Sequence, residues 1–284
     1  MAVTQYHAPD ALCPVRRGSG SKHIVMKKIS DSRPVFSACA APSLRVAGLL
    51  RHALIVGAAG LVGTHAGAAP VIPDTIAQRT AACTACHGKE GRATNDGYFP
   101  RIAGKPAGYL YKQLLNFREG RRTYPLMTYM VSHLSDAYLM EMASYFASLH
   151  PPYPPPQPAS VSGEVLERGR RLIFYGDRSK NVPACIACHG NGLTGVAPTI
   201  PGLLGLPRDY LNAQFGAWKN GTRKATAPDC MAQISSRLTT DDISAATAWL
   251  AAQPVPTNMA PLPAPRSRLP LQCGSLPQHQ QEPR

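Results

Sequence analysis

The sequence predicts an all-α protein built twice over in tandem. Three observations carry this. The pentapeptide Cys83-Thr84-Ala85-Cys86-His87 returns as Cys185-Ile186-Ala187-Cys188-His189. The residues after each copy repeat as well, and internal self-similarity outranks any single motif. Every segment with a clear apolar period has the helical one, and no run alternates as a strand does.

The helices follow in order. Residues 107–118 place Tyr109, Leu110, Gln113, Leu114 and Phe117 on one stripe, and Gly120 ends it. Ser135-Asp136 opens a second helix, with Leu139, Met142, Ala143 and Phe146 on one face. In the other half, residues 208–219 form the matching helix. Thr239 opens the last one, with Asp242 as its capping-box partner and Ile243, Ala246, Thr247 and Leu250 inward. The boxes Pro-x-Ile-x-Gly at 100–104 and 198–202 lie 98 apart. The stretches from Tyr109 to Arg122 and from Tyr210 to Arg223 lie 101 apart, and later matches 104 apart, with the steps assigned to connecting loops.

Cys-x-x-Cys-His reads as a c-type haem attachment site. Two thiols, Cys83 and Cys86 or Cys185 and Cys188, add to the vinyl groups of one porphyrin. The adjacent imidazole, His87 or His189, reaches the iron. Structural zinc would need a second Cys or His pair near each motif, and the sequence offers none. A thioredoxin-like redox pair would not need the fixed histidine.

Composition bounds the rest. The chain has 284 residues and a formal charge of +14. Residues 1–68 form a leader: Arg45 and Arg51 precede an apolar run of about eleven residues, short of the roughly twenty that span a bilayer. Ala66-Gly67-Ala68 supplies a cleavage pattern. Met26-Lys27-Lys28 is a more natural start than Met1. From residue 69 onward there are 22 basic and 14 acidic residues, or +8. That surplus suits docking on acidic partner surfaces. No basic run interleaved with aromatics points to nucleic acid. Membrane association is expected only through an uncleaved leader or a partner complex.

The expected organisation is therefore a leader over 1–68, a first domain over 69–150, a linker over 151–160, a second domain over 161–254 and a Pro-rich tail over 255–284. Six prolines within 151–158 make the linker a semi-rigid spacer. The tail has no periodicity and reads as disordered or draped over the surface. A domain of about eighty residues buries a modest core, so porphyrin is expected to supply much of it.

The remaining iron ligand decides the chemistry. A thioether fills the coordination sphere and suits electron transfer, whereas an open site suits peroxide or oxygen chemistry. Met127 lies seven residues before Leu134, and Met231 lies seven before Leu238, so both occupy the same loop position between the middle and last helices. They are the expected ligands, with Met130 the runner-up in the first half. Met140 and Met142 fall within the last helix and read as packing. Met259 lies in the tail, and His133 has no counterpart. Pro100 and Pro198 are the expected carbonyl acceptors for the two imidazoles. Tyr109, Tyr210, Arg122 and Arg223 are placed at the haem edges and propionates, ordinary core packing being the alternative for the tyrosines.

These motifs together, with Tyr-Leu-x-x-Gln, Gly-x-Arg and Met before a Leu-Ser or Leu-Thr pair, resemble dihaem class I cytochromes of the cytochrome c4 type over roughly residues 74–252. The resemblance implies two all-α class I cytochrome c domains, each wrapped around one covalent haem, two haem c in all. It also implies His/Met ligation of both irons and a periplasmic respiratory-chain electron carrier, not an enzyme, working towards a terminal oxidase. The implied partners are an oxidase, a dehydrogenase or a quinol-oxidising complex. The rivals are a fixed cytochrome subunit of a membrane-associated dehydrogenase or oxidase complex, and a dihaem peroxidase. Three features depart from the family. The helix before the first motif lacks the glycine that Gly169 offers, residues 175–181 are inserted, and the tail has no counterpart. Cys230 and Cys273 either pin that tail by a disulfide or stay as free or intermolecular thiols.

Overall fold

The computed structural model describes residues 72–94, 98–264 and 268–276. The expected leader, 1–68, and the last residues of the tail lie outside the described residues.

The first half begins with α1 (Ile76–Arg79) and α2 (Ala81–His87), then a 3-10 turn at Lys89–Gly91. It continues with α3 (Ala107–Arg118), α4 (Pro125–Val131) and α5 (Asp136–Ser148). The second half holds α6 (Gly163–Tyr175), a 3-10 turn at Arg178–Lys180, α7 (Ile186–His189), β1 (Gly195–Val196) and β2 (Ile200–Pro201). It ends with α8 (Arg208–Lys219), α9 (Cys230–Arg237) and α10 (Thr240–Ala251).

The caps explain the sharp boundaries. Ser135 accepts from the Tyr138 N–H at the start of α5, and Thr239 and Asp242 form a reciprocal capping box at α10. Prolines at 106 and 207 precede α3 and α8. Two short helices and a strand pair depart from expectation. The loops expected at Met127 and Met231 are the short helices α4 and α9. A two-residue antiparallel pair, Gly195 with Pro201 and Val196 with Ile200, stands where no strand was expected.

Each half has its own core. In the first, α3 packs on α5, burying Phe117, Val131, Leu139 and Met142 in one cluster and Leu110, Ala143 and Phe146 in another. In the second, α6 crosses α10, and Leu172, Ile173, Ile243, Ala246 and Leu250 join Leu193, Leu204, Leu206 and Leu211. Gly169 is the crossing point, where a Cβ would lie 2.2 Å from the Ala245 carbonyl oxygen.

The proline segment between the halves is held down. Buried Arg101 donates to the carbonyls of Ala103, Pro151 and Pro152 and lies 3.7 Å from the centre of the Tyr153 ring. Gln157 bonds Ala251 O through its N–H and accepts from Arg208 N. The linker is thus a strap fastened to both halves.

The tail is not draped loosely. Leu269 and Leu276 are buried with Val196 and Ile200, and a Cys230–Cys273 disulfide, Cα to Cα 5.3 Å, fastens it beside Met231. Among the described residues no helix is long and apolar enough to cross a membrane.

Candidate haem sites

Cys83, Cys86 and His87 occupy the last two turns of α2, so both thiols lie on one face, three residues apart. Cys185 caps α7, which carries Cys188 and His189. Each helix stops at a glycine of positive φ, Gly88 at +73° and Gly190 at +83°. At Gly88 a Cβ would lie 2.3 Å from the Ala93 carbonyl oxygen. None of the four motif cysteines forms a disulfide. Burial pushes Cys83 and Cys188 up, and Cys185 up to about 12, so they stay protonated. A reactive redox pair needs the opposite shift.

Both imidazoles are buried. His87 Nδ1 lies 2.8 Å from Pro100 O, and His189 Nδ1 lies 2.8 Å from Pro201 O. A donating Nδ1–H leaves the Nε2 lone pair for a metal and fixes the ring. Burial lowers both pKa values, favouring the neutral, ligating form.

The acceptor in the second half corrects the expectation of Pro198. Pro198 O instead accepts from the Tyr109 N–H, 3.2 Å away in the other half. The physical register runs at a constant 101 from Pro100 to Arg122, so Pro100, Gly104 and Pro106 match Pro201, Gly205 and Pro207. Gly104 and Gly205 both take positive φ, +70° and +68°. The two Gly-x-Pro steps were the available signal. The shared isoleucine at 102 and 200 was a coincidence of identity.

Met127, the third residue of α4, packs against the Phe117, Val131, Leu139 and Met142 cluster, whereas Met130 is 38% exposed. Met231, the second residue of α9, is partly buried. Met142 is core, Met140 and His133 are exposed, and Met259 packs against the second-half core.

The two halves meet at an axis where each touches its own counterpart. Arg122 and Arg223 form an antiparallel bridge, with Thr123 N to Thr222 O and Lys224 N to Arg121 O both at 2.7 Å. Arg122 donates to Gln113 Oε1 (2.9 Å) and Gln214 Oε1 (2.8 Å). Arg223 donates to Gln214 Oε1 (2.6 Å), Gln113 Oε1 (3.2 Å) and the Tyr109 hydroxyl (3.2 Å). Tyr210 bonds Arg122, and burial raises its phenol. Burial, then Arg223, lowers Arg122. Gly108 allows the approach, since a Cβ there would lie 2.7 Å from Pro198 O. Sequence reading missed Lys105, whose buried ammonium donates to Gly202 O at 3.0 Å across this interface. Burial, then Arg101, pulls it down to about 7.

This arrangement fits haem. The two guanidiniums share only neutral partners, and Trp218 Nε1, under the Arg223 guanidinium 3.9 Å from its ring centre, is buried with no acceptor. Buried cations call for anions, and a porphyrin carries two carboxylates. Two attachment helices, each with a buried imidazole held by a proline carbonyl, on a duplicated helical fold, define a two-haem class I c-type cytochrome.

No family model matches the chain. It is 38% identical over 205 residues to the thiosulfate dehydrogenase electron acceptor of Thiomonas intermedia (strain K12), covering 72% of this chain and 93% of that protein. It is 33% identical over 175 residues to cytochrome c4 of Pseudomonas aeruginosa, covering 61% and 84%. The crystal structure of reduced recombinant cytochrome c4 from Pseudomonas stutzeri superposes with a TM-score of 0.55 at 28% identity, over 62% of this chain and 96% of that one. The chain belongs to the cytochrome c4 family, whose members are two-haem electron-transfer proteins.

Proposed function

We propose that this chain is a periplasmic single-electron carrier that accepts electrons from a dehydrogenase acting on an inorganic sulfur compound and passes them towards a terminal oxidase. Its identity with a protein named for accepting electrons from thiosulfate dehydrogenase carries the choice of donor. The domains are 69–150 and 161–254, preceded by a cleaved leader over 1–68.

Haem supplies one-electron Fe(III)/Fe(II) chemistry when bound. Cys83, Cys86, Cys185 and Cys188 hold it covalently. His87 and His189 would ligate its iron, their rings oriented by Pro100 O and Pro201 O. Met127 and Met231 would supply a thioether to each iron. Ligands held fixed by the fold would keep reorganisation small, and thioether ligation would suit electron transfer over peroxide chemistry. Arg122 and Arg223 offset the propionate charge between the sites. Positive charge steers the chain to acidic partner surfaces. The peroxidase rival needs an open iron, and the shared register of Met127 and Met231 argues against it. The fixed-subunit rival gains support from the same dehydrogenase-linked relative, and copurification at native expression separates carrier from subunit.

Mixing the oxidised chain with a thiosulfate dehydrogenase and thiosulfate should reduce both haems within seconds. No reduction sinks the donor assignment. The oxidised protein should show the weak far-red band of Met–Fe(III) ligation at two-haem intensity, halved in Met127→Ala and halved in Met231→Ala. An intact band in Met127→Ala moves the ligand to Met130.

A further inference from the structure

The two halves present homologous faces, and the described residues cover only one of them. Around the second motif the face comprises Cys188, Ile200 and α9. Leu262 pairs with the hairpin there, its N–H to Gly195 O at 2.9 Å and its carbonyl taking Ala197 N at 2.8 Å. Leu269 and Leu276 bury Ile200 to 8% exposure, with Cys188 and Cys273 packed against the same cluster. The disulfide at Cys230 and a bond from Gly274 N to Pro228 O (3.0 Å) fasten the far end.

The repeat registers map this face onto the first half. Cys188 matches Cys86, Ile200 matches Phe99, and Cys230, Gln233 and Ile234 match Leu126, Tyr129 and Met130. There the side chains are open, with Tyr98 59%, Leu126 47%, Tyr129 76% and Met130 38% exposed. Tyr98 stands 6.0 Å from Tyr124, ring to ring, which joins the Phe99 side to α4. Residues 124–133 carry no Lys, Arg, Asp or Glu. Contiguous exposed apolar side chains of this kind mark contact surfaces, and aromatic anchors dominate them.

We propose that the tail is a disulfide-locked cover closing the second haem's face to partners, and that the matching open face of the first half is the docking surface for a redox protein whose own cofactor edge has an apolar, weakly charged rim. Resting on the carrier reading above, this names where that carrier meets its partner. The occupant's chemistry is read from the covered twin: an apolar segment, anchored through leucines, already fills the same face in the second half. Long-range charge brings the partners together, and the uncharged α4 surface makes the contact.

The test uses the two-haem protein. A neutral gadolinium chelate broadens the NMR signals of haem methyls that it can reach. In the unmodified oxidised protein one haem's set should broaden and the other persist. Both should broaden in a chain ending at Gln253 with Cys230→Ser, and in Cys273→Ser, which retains the tail but unlocks it. Equal broadening of both sets in the unmodified protein, or no change on truncation, overturns the cover. Docking is read by stopped flow with a blue copper protein of near-zero net charge as probe. Tyr129→Asp should lower the second-order rate at least fivefold, and Gln233→Asp, its counterpart, less than twofold. Equal effects overturn the docking assignment. A count of two haems per chain and full dithionite reduction in every variant separates failure of this proposal from failure of the carrier reading.

Discussion

Replacing Gly169 by alanine sets helix propensity against packing. Alanine is favoured over glycine within a helix by about 1 kcal/mol. At Gly169, however, the new methyl would lie 2.2 Å from Ala245 O, 2.7 Å from Ala245 C and 2.9 Å from Trp249 Cβ. Two of these atoms are backbone of α10 and cannot rotate aside. The α6–α10 crossing must open by about 1 Å, and overpacking of this kind costs about 1–3 kcal/mol. Because the obstacle is main chain, the upper part of that range applies, leaving a net loss of about 2 kcal/mol after the propensity gain. For a half of about 100 residues this lowers the midpoint by roughly 8–16 °C. Both tryptophans, Trp218 and Trp249, lie in the second half, so their fluorescence, released from haem quenching on unfolding, reports that half alone. Gly216→Ala is the control: it lies within α8, and nothing comes within 4 Å of the methyl it would add, so the same substitution should raise the midpoint. A Gly169→Ala protein that melts at or above the parent temperature would refute the reasoning.

Two further outcomes follow from the structure. Asp242 is buried, and although burial alone would raise its pKa, Lys180 (2.7 Å), the Thr239 N–H and Arg168 (2.6 Å) hold it well below the usual carboxylate range. Its contribution is present above the unfolded value of about 3.9 and is lost as pH falls through the folded value. Asp242→Asn should therefore destabilise at pH 7 by about 2 kcal/mol, discounted because both cations reach solvent, and the difference should shrink in acid melts below about pH 4. An unchanged midpoint at pH 7 contradicts it. Gly108→Ala presses a methyl to 2.7 Å from Pro198 O at the contact between halves. It should split the calorimetric transition into two while leaving each half folded, and a single unchanged endotherm would show that the contact yields at no cost.

The helices bounded by local chemistry were legible in the sequence. The apolar stripe places α3 and α8, and stripe with cap places α5 and α10, where Ser135 and Thr239 act on N–H groups three residues away. The helices α4 and α9 were hidden because seven or eight residues make barely two turns, and Pro125 and Asp229 also read as loop residues. The motif cysteines and histidines were legible because covalent spacing is local. The carbonyl that holds His189 was not, since an isoleucine identity competed with a Gly-x-Pro register whose meaning is a positive φ. Arg101 and Lys105 were invisible for a different reason. A basic residue ordinarily signals surface, and what buries these two is the linker and the opposite half, more than forty residues away along the chain.

A duplicated chain folded about a pseudo-twofold brings every axial residue against its own repeat. At most positions that is harmless, but an arginine at the axis must face an arginine. The Gln113 and Gln214 carbonyl oxygens bridge Arg122 and Arg223, which aligns the pair without neutralising it. Neutral acceptors leave two part-desolvated cations repelling one another, and that repulsion opposes closure of the two halves. Haem carboxylates would reverse the sign. The contact between halves is then a consequence of loading both sites as well as of the protein surfaces themselves. The tail escapes this symmetry because it is not duplicated. Wherever the repeat is kept, the halves share chemistry and join; where it is broken, by Cys230 for Leu126 and by an apolar tail, one of two equivalent faces is withdrawn from solvent.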